Sequence, residues 1–149
     1  MFEDIVRLKE ELETRERFTF YDLPWSERLK VLEKIAEVLE SRSEIELAVV
    51  YGSFVKRGAR FRDIDVAVYL CEGPSSFDYL FELMDLLESV TGYRVDVVVL
   101  NDAPAYFGVR VLSKGVVLFE RRPGLCLLLY KRFIEEKQAL EIYNRYSSY

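Results

Sequence analysis

Short apolar runs set the limits on what this chain can fold into. "EIELAVVY" (44–51), "DIDVAVYL" (63–70), "YRVDVVVL" (93–100) and "VVLFE" (116–120) are rich in Val and Ile and too short for independent helices. Their length and β-branched content predict strands. Between them the apolar spacing becomes helical. Residues 3–16 place Ile5, Leu8 and Leu12 along an amphipathic helix. Pro24 suits the first turn of a second helix over about 24–41, with Leu29, Leu32, Ile35, Ala36 and Leu39 as its buried stripe. "CEGPSS" (71–76) punctuates the chain, and 76–90 read as a helix with Phe77, Leu80, Phe81, Met84 and Leu87 inward, closed by Gly92. A short helix over 104–113 precedes the Gly115 turn. After Pro123-Gly124, residues 125–146 predict a long helix with Leu129, Phe133, Leu140 and Tyr143 on one face. The run at 93–100 is apolar on both faces, which predicts an interior strand.

The resulting order, ααβ(α)βαβαβα, shows no repeat, low-complexity tract or linker. It predicts one α/β domain over 1–149: N-terminal helices 1–41, a core 44–120 around a short sheet of about four strands, and a C-terminal helix 125–146. A chain of 149 residues can bury a core of its own. No apolar run approaches a membrane span and no signal peptide is evident, so the expectation is a cytoplasmic protein without a membrane partner. Cys71 and Cys126 match no metal or redox spacing and read as reduced, small core residues.

Two features narrow the chemistry. The chain has no histidine, which removes Ser-His triads and the usual zinc sites. Its formal charge of −5 argues against tight nucleic-acid binding. Catalysis would then have to use carboxylates, a hard metal, cations or backbone groups.

In "YGSFVKRGARFRDIDVAV" (51–68), Ile64, Val66 and Val68 alternate toward a core, which puts Asp63 and Asp65 together on the opposite face. Carboxylates about 6.6 Å apart repel by roughly 2.5 kcal/mol at an effective dielectric near 20. A divalent cation relieves that repulsion, because hard cations prefer carboxylate oxygen. The plainer alternative is a solvated pair beside Arg60 or Arg62. Two further features favour the cation. Gly52-Ser53 follows a strand directly, where a missing Cβ and a hydroxyl suit phosphate. Asp96 interrupts the apolar "RVDVVVL", where a lone carboxylate is costly. Three carboxylates on adjacent strands beside such a turn are the parts of two-metal phosphoryl transfer.

The motif resembles the G-S-x(9–13)-D-h-D signature of the polymerase-beta-like nucleotidyltransferases, with "VDVVV" supplying the third acidic strand. The resemblance covers roughly residues 30–120, and the absence of large added domains makes the chain similar to the minimal nucleotidyltransferase (MNT) branch. It implies a nucleotidyltransferase fold and that Gly52 and Ser53 hold the β/γ-phosphates of ATP. It also implies that Asp63 and Asp65 bind two Mg²⁺ ions and that Asp96 binds the metal activating the acceptor hydroxyl and takes its proton. Lys56, Arg57 and Arg60 are phosphate candidates on charge, or solvated loop cations. Arg62 stands where the family usually has a small hydroxyl residue. It could contact phosphate or pair with Asp63 and weaken metal binding.

MNT proteins commonly act as antitoxins to HEPN-domain RNases. The resemblance therefore implies AMP transfer to a tyrosine of a HEPN-type toxin encoded nearby. The alternatives are a non-catalytic antitoxin that blocks its partner by contact and a small-molecule nucleotidyltransferase of the aminoglycoside kind. Tyr130, Tyr143, Tyr146 and Tyr149 near the C-terminus read as core or homo-oligomer contacts by default, with base stacking or partner contact as the alternative.

Overall fold

A computed structural model describes residues 1–17, 19–72 and 76–147. The elements are α1 (Phe2–Arg17), α2 (Trp25–Glu40), β1 (Ile45–Tyr51), a 3-10 turn (Ser53–Val55), β2 (Asp63–Leu70), α3 (Phe77–Thr91), β3 (Arg94–Val99), α4 (Ala105–Lys114), β4 (Val116–Glu120) and α5 (Leu125–Ser147). The expected element order and strand positions are borne out to within a residue or two. The side chain of Leu12, part of the 71–76 turn and Tyr149 lie outside the described residues.

The strands form one mixed sheet in the order β3-β2-β1-β4. β1 is antiparallel to β2 and β4, while β2 and β3 run parallel and are joined through α3. Both faces are covered, as a crossover helix requires. On one face Ala48, Val50, Ile64, Val66, Val68, Val95 and Val97 pack with Leu32, Ile35, Leu39, Leu83 and Leu87 of α2 and α3. On the other, Leu47, Val49 and Ala67 pack with Val111, Leu112, Leu125, Leu129 and Phe133 of α4 and α5. Asn101 continues the pairing beyond the end of β3: its Oδ1 accepts from Leu70 N at 2.9 Å and its Nδ2 donates to Leu70 O at 2.8 Å.

Several expectations need correction. β3 is an edge strand, not an interior one. Val95 and Val97 are buried against α3 and Val98 is half-buried at the other core, whereas Arg94 and Asp96 are exposed. In α2, Leu29 is exposed and the buried stripe is Arg28, Leu32, Ile35 and Leu39. In α3, Phe77 and Phe81 are exposed and Leu83 and Leu87 are buried. Tyr79 fixes that rotation: its hydroxyl donates to Glu44 Oε1 at 2.9 Å, and the Arg42 guanidinium lies over its ring. In α5, Leu140 and Tyr143 are exposed, because the 10-residue α4 can cover only the first turns of a 23-residue neighbour. Cys71 is exposed rather than in the core. Among the described residues no helix is long and apolar enough to cross a membrane.

The contact between α4 and α5 depends on Gly108. A Cβ there would lie 2.5–2.6 Å from three ring atoms of Phe133, whose side chain is itself fully enclosed. Gly108→Ala should therefore lose about 1–3 kcal/mol through overpacking, although alanine is the better helix former. Urea denaturation measures this. A variant as stable as the parent would show that Phe133 can step aside.

Candidate active site

Strand register builds the site. Across the parallel pair Asp63 faces Arg94 and Asp65 faces Asp96. Across the antiparallel pair Tyr51 faces Asp65. Tyr51, Asp65 and Asp96 therefore form one row over three strands, at the end of the sheet face that carries Leu47, Val49 and Ala67. Because β2 and β3 are parallel, like positions in the two runs "DIDV" and "RVDV" stay level.

Crowding in this row is electrostatic. Burial, then Asp96, then Asp63 push the Asp65 carboxyl up to about 6, with Arg62 opposing. Tyr51 is pushed up to about 12, by burial first and then by Asp65 and Asp96, with Arg110 opposing. The Tyr51 ring packs edge-on against Phe107 of α4, their centroids 5.8 Å apart. The expectation that Asp96 is buried in an apolar strand is not met, because it stands exposed on the edge strand. It faces outward, and its charge is one cause of the raised proton affinity of Asp65.

Asp63 lies on the same face one step along but is drawn sideways. Arg62 Nε donates to its Oδ2 at 3.4 Å, and Arg94 Nε lies 3.8 Å from its Oδ1. The Oδ1 atom is buried and has no hydrogen-bond partner. Such an orphaned acceptor is costly unless something else satisfies it.

Gly52 is pressed against Asp65. Its φ of 82° and ψ of −159° form a conformation that only glycine adopts readily. A Cβ there would sit 2.6 Å from Asp65 Oδ2. Ser53 opens the 3-10 turn, in which Val55 N donates to Gly52 O and Lys56 N to Ser53 O. The turn thus reaches the carboxylate row.

Arg28 holds this loop, and sequence reading missed it. Its guanidinium is buried. Nε donates to Leu23 O at 2.9 Å, and Nη1 donates to Phe54 O at 3.0 Å and to Ser53 O and Lys56 O at 3.3 Å. Nη2 donates to the Ala59 carbonyl. The rings of Phe54 and Phe61 flank it, with centroids 5.7 and 5.1 Å from Cζ. The available signal was its phase, since an arginine at the same helical spacing as Leu32, Ile35 and Leu39 needs a polar destination inside. Lys56, Arg57 and Arg60 are exposed on the same loop, and Arg57 lies over the Trp25 ring with Cζ 5.2 Å from its centroid.

The donor set suits a hard divalent cation. The atoms that would ligate it are carboxylate oxygens, one of which, Asp63 Oδ1, has no hydrogen-bond partner, and a cation would offset the repulsion at Asp65. Among the described residues, however, no three acidic, Cys or His side chains converge into a ready ligand set. Asp63 would have to turn from its arginines to join Asp65 and Asp96. A larger concavity of about 690 Å³, lined by Leu112, Val117, Phe119, Leu127 and Tyr130, lies between β4, α4 and α5 and includes none of these carboxylates.

Residues 33–123, spanning the sheet and the whole carboxylate row, match the family model described as "Polymerase beta, Nucleotidyltransferase". The chain belongs to that family. No curated protein matches it. Solved structures with the nucleotidyltransferase fold do. One is the tri-AMPylated Shewanella oneidensis HEPN toxin in complex with MNT antitoxin, with 23% identity and a TM-score of 0.67 over 79% of this chain and 92% of the matched one. A second is the toxin–antitoxin complex MntA-HepT, at 22% identity and TM-score 0.65 over 78% and 92%. A third is a toxin–antitoxin structure with AMP-PNP, at 24% identity and TM-score 0.65 over 76% and 92%. The nucleotidyltransferase family and fold expected from the Gly-Ser and Asp-x-Asp motifs are thus borne out.

The raised carboxyl of Asp65 gives a signed prediction for the metal-free protein. An acid held above its ordinary value favours folding fully below that value, near pH 4, and loses that contribution as pH rises to about 6. Asn cannot ionise. Asp65→Asn should therefore gain stability over the parent above pH 6, by about 1 kcal/mol after allowing for partial exposure, and little near pH 4. Thermal melts in chelator at both pH values check this. A variant that melts lower at both would make Asp65 a structural residue.

Proposed function

We propose that this protein is an antitoxin that transfers AMP from ATP to a hydroxyl of its partner, a tyrosine of a HEPN-type RNase toxin. The observation that carries the reading is the level placement of Asp65 and Asp96 beside the Gly52 turn. It is supported by likeness to a complex in which the HEPN toxin is tri-AMPylated and to a toxin–antitoxin structure that contains AMP-PNP.

Asp65 and Asp96, with Asp63 once it turns, are the residues that would hold Mg²⁺, as one ion or two. The bound metal supplies neutralisation of phosphate charge and a lower pKa for the attacking hydroxyl. The rest falls to the chain. Gly52 lets a phosphate oxygen approach the backbone where any side chain would obstruct it, and the Ser53 hydroxyl lies at the same turn. Arg28 keeps that turn fixed, so phosphate meets a preformed surface. Asp96, exposed on the edge strand, meets an incoming hydroxyl and accepts its proton; no histidine is present to do so. The acceptor oxygen forms a bond to the α-phosphorus, the bond from that phosphorus to the bridging oxygen breaks, and pyrophosphate leaves.

The exposed apolar and aromatic residues on the distal part of α5, Leu140, Ile142, Tyr143 and Tyr146, favour a second reading in which contact alone inhibits the partner. Intact-mass spectrometry separates the two. With ATP, Mg²⁺ and a HEPN protein encoded beside it, the parent should raise the partner's mass by whole AMP units and silence its RNase. Asp96→Ala should still form the complex but transfer AMP at least about 100-fold more slowly. An unmodified partner whose RNase is blocked equally by the parent and Asp96→Ala would establish inhibition by contact.

A further inference from the structure

Among the described residues of the site, Asp63 is the carboxylate that lies within 4 Å of two arginines. Neither of its contacts is a strong hydrogen bond. At 3.4 Å from Arg62 and 3.8 Å from Arg94, both exceed the 2.7–2.9 Å of a charge-assisted bond. The Asp63 side chain is 18% exposed, whereas Arg62 and Arg94 are 41% and 58% exposed. The carboxylate is therefore the more enclosed partner of each pair, and it can turn toward Asp65 only as the more exposed guanidinium groups give way. Arg94 is placed by strand register directly across from Asp63, and it follows Gly92, whose φ of 80° ends α3.

Outside the pair lies a cavity of about 280 Å³ lined by Tyr21, Arg62, Glu88, Gly92, Tyr93 and Arg94. The rings of Tyr21 and Tyr93 meet edge-on there, with centroids 5.0 Å apart. Glu88 brings a carboxylate into the same space. An arginine leaving Asp63 would find in this cavity an opposite charge and aromatic faces, which together replace what it gives up.

We propose that Arg62 and Arg94 form a counterion clamp that competes with the metal for Asp63. The proposal rests on the reading of the carboxylates as a cation site. Asp65 and Asp96 are open to a first ion, whereas Asp63 joins only when the guanidinium groups withdraw toward Glu88 and the tyrosines. The two arginines thus set how readily the site fills, and a partner or nucleotide phosphate that engages them would promote filling.

Titration calorimetry of the full chain with Mn²⁺, without nucleotide, tests this independently of activity. Arg94→Gln and Arg62→Gln should each tighten Mn²⁺ binding about two- to fivefold, the range expected for a partly exposed ion pair. Arg94→Lys, which keeps the charge, should stay near the parent. In an Asp63→Asn background Arg94→Gln should change nothing. Unchanged or weaker binding by Arg94→Gln, or an equal gain in the Asp63→Asn background, overturns the clamp but leaves the cation site standing. Absence of Mn²⁺ binding in the parent and in both arginine variants overturns the clamp and the cation site together.

Discussion

The parallel pairing of β2 with β3 is the constraint on which the site depends. It sets Asp65 level with Asp96 and Asp63 level with Arg94. A slip of one residue would send every side chain of β3 to the opposite face and put Val95 or Val97 beside Asp65. That slip is resisted by the core, since Val95 and Val97 are buried against α3. The hydrophobic pattern of one face therefore fixes the electrostatics of the other. Asp65 is held in conflict with Asp96 because the valines between them and the core cannot be rearranged cheaply.

A second constraint acts from β1. The strand ends at Tyr51, level with Asp65, and the chain must turn at once. Gly52 makes that turn against the Asp65 carboxylate, and the carbonyls of the following loop converge on the buried guanidinium of Arg28. An arginine in such a position is stabilising only because its donors are bonded; left unpaired, it would be among the most costly groups to bury. The loop and α2 are consequently a single unit. The Gly52 turn is thus held by a side chain that lies 25 residues upstream of Ser53.

Much of this was legible in the sequence, and the misses share a cause. The strands at 45–51, 63–70 and 116–120, and the common face of Asp63 and Asp65, follow from alternation and length. What a single chain cannot encode locally is which neighbour covers a face. β3 reads as interior because Val95 and Val97 on one face and Val98 on the other are apolar, yet among the described residues no strand lies beyond it and Arg94 and Asp96 stand exposed. Phe77 and Phe81 lie on the side of α3 turned away from Leu83 and Leu87, and Leu140 and Tyr143 extend along α5 past the turns that α4 covers. Arg28 was overlooked because an apolar stripe is sought in apolar residues. Its neighbour Leu29 was chosen instead and is exposed. The engagement of Asp63 by Arg62 was visible in sequence, whereas that by Arg94 needed the register.

The central claim is that Asp65 and Asp96 form a cation site at the end of the sheet beside the Gly52 turn. The most direct measurement is anomalous diffraction from crystals grown with Mn²⁺ and a non-hydrolysable ATP analogue. The account predicts a manganese peak bonded to carboxylate oxygens of both Asp65 and Asp96, with the triphosphate against Gly52 and Ser53. A nucleotide bound elsewhere, such as the apolar groove between β4 and α5, with no manganese on Asp65 and Asp96, would contradict it.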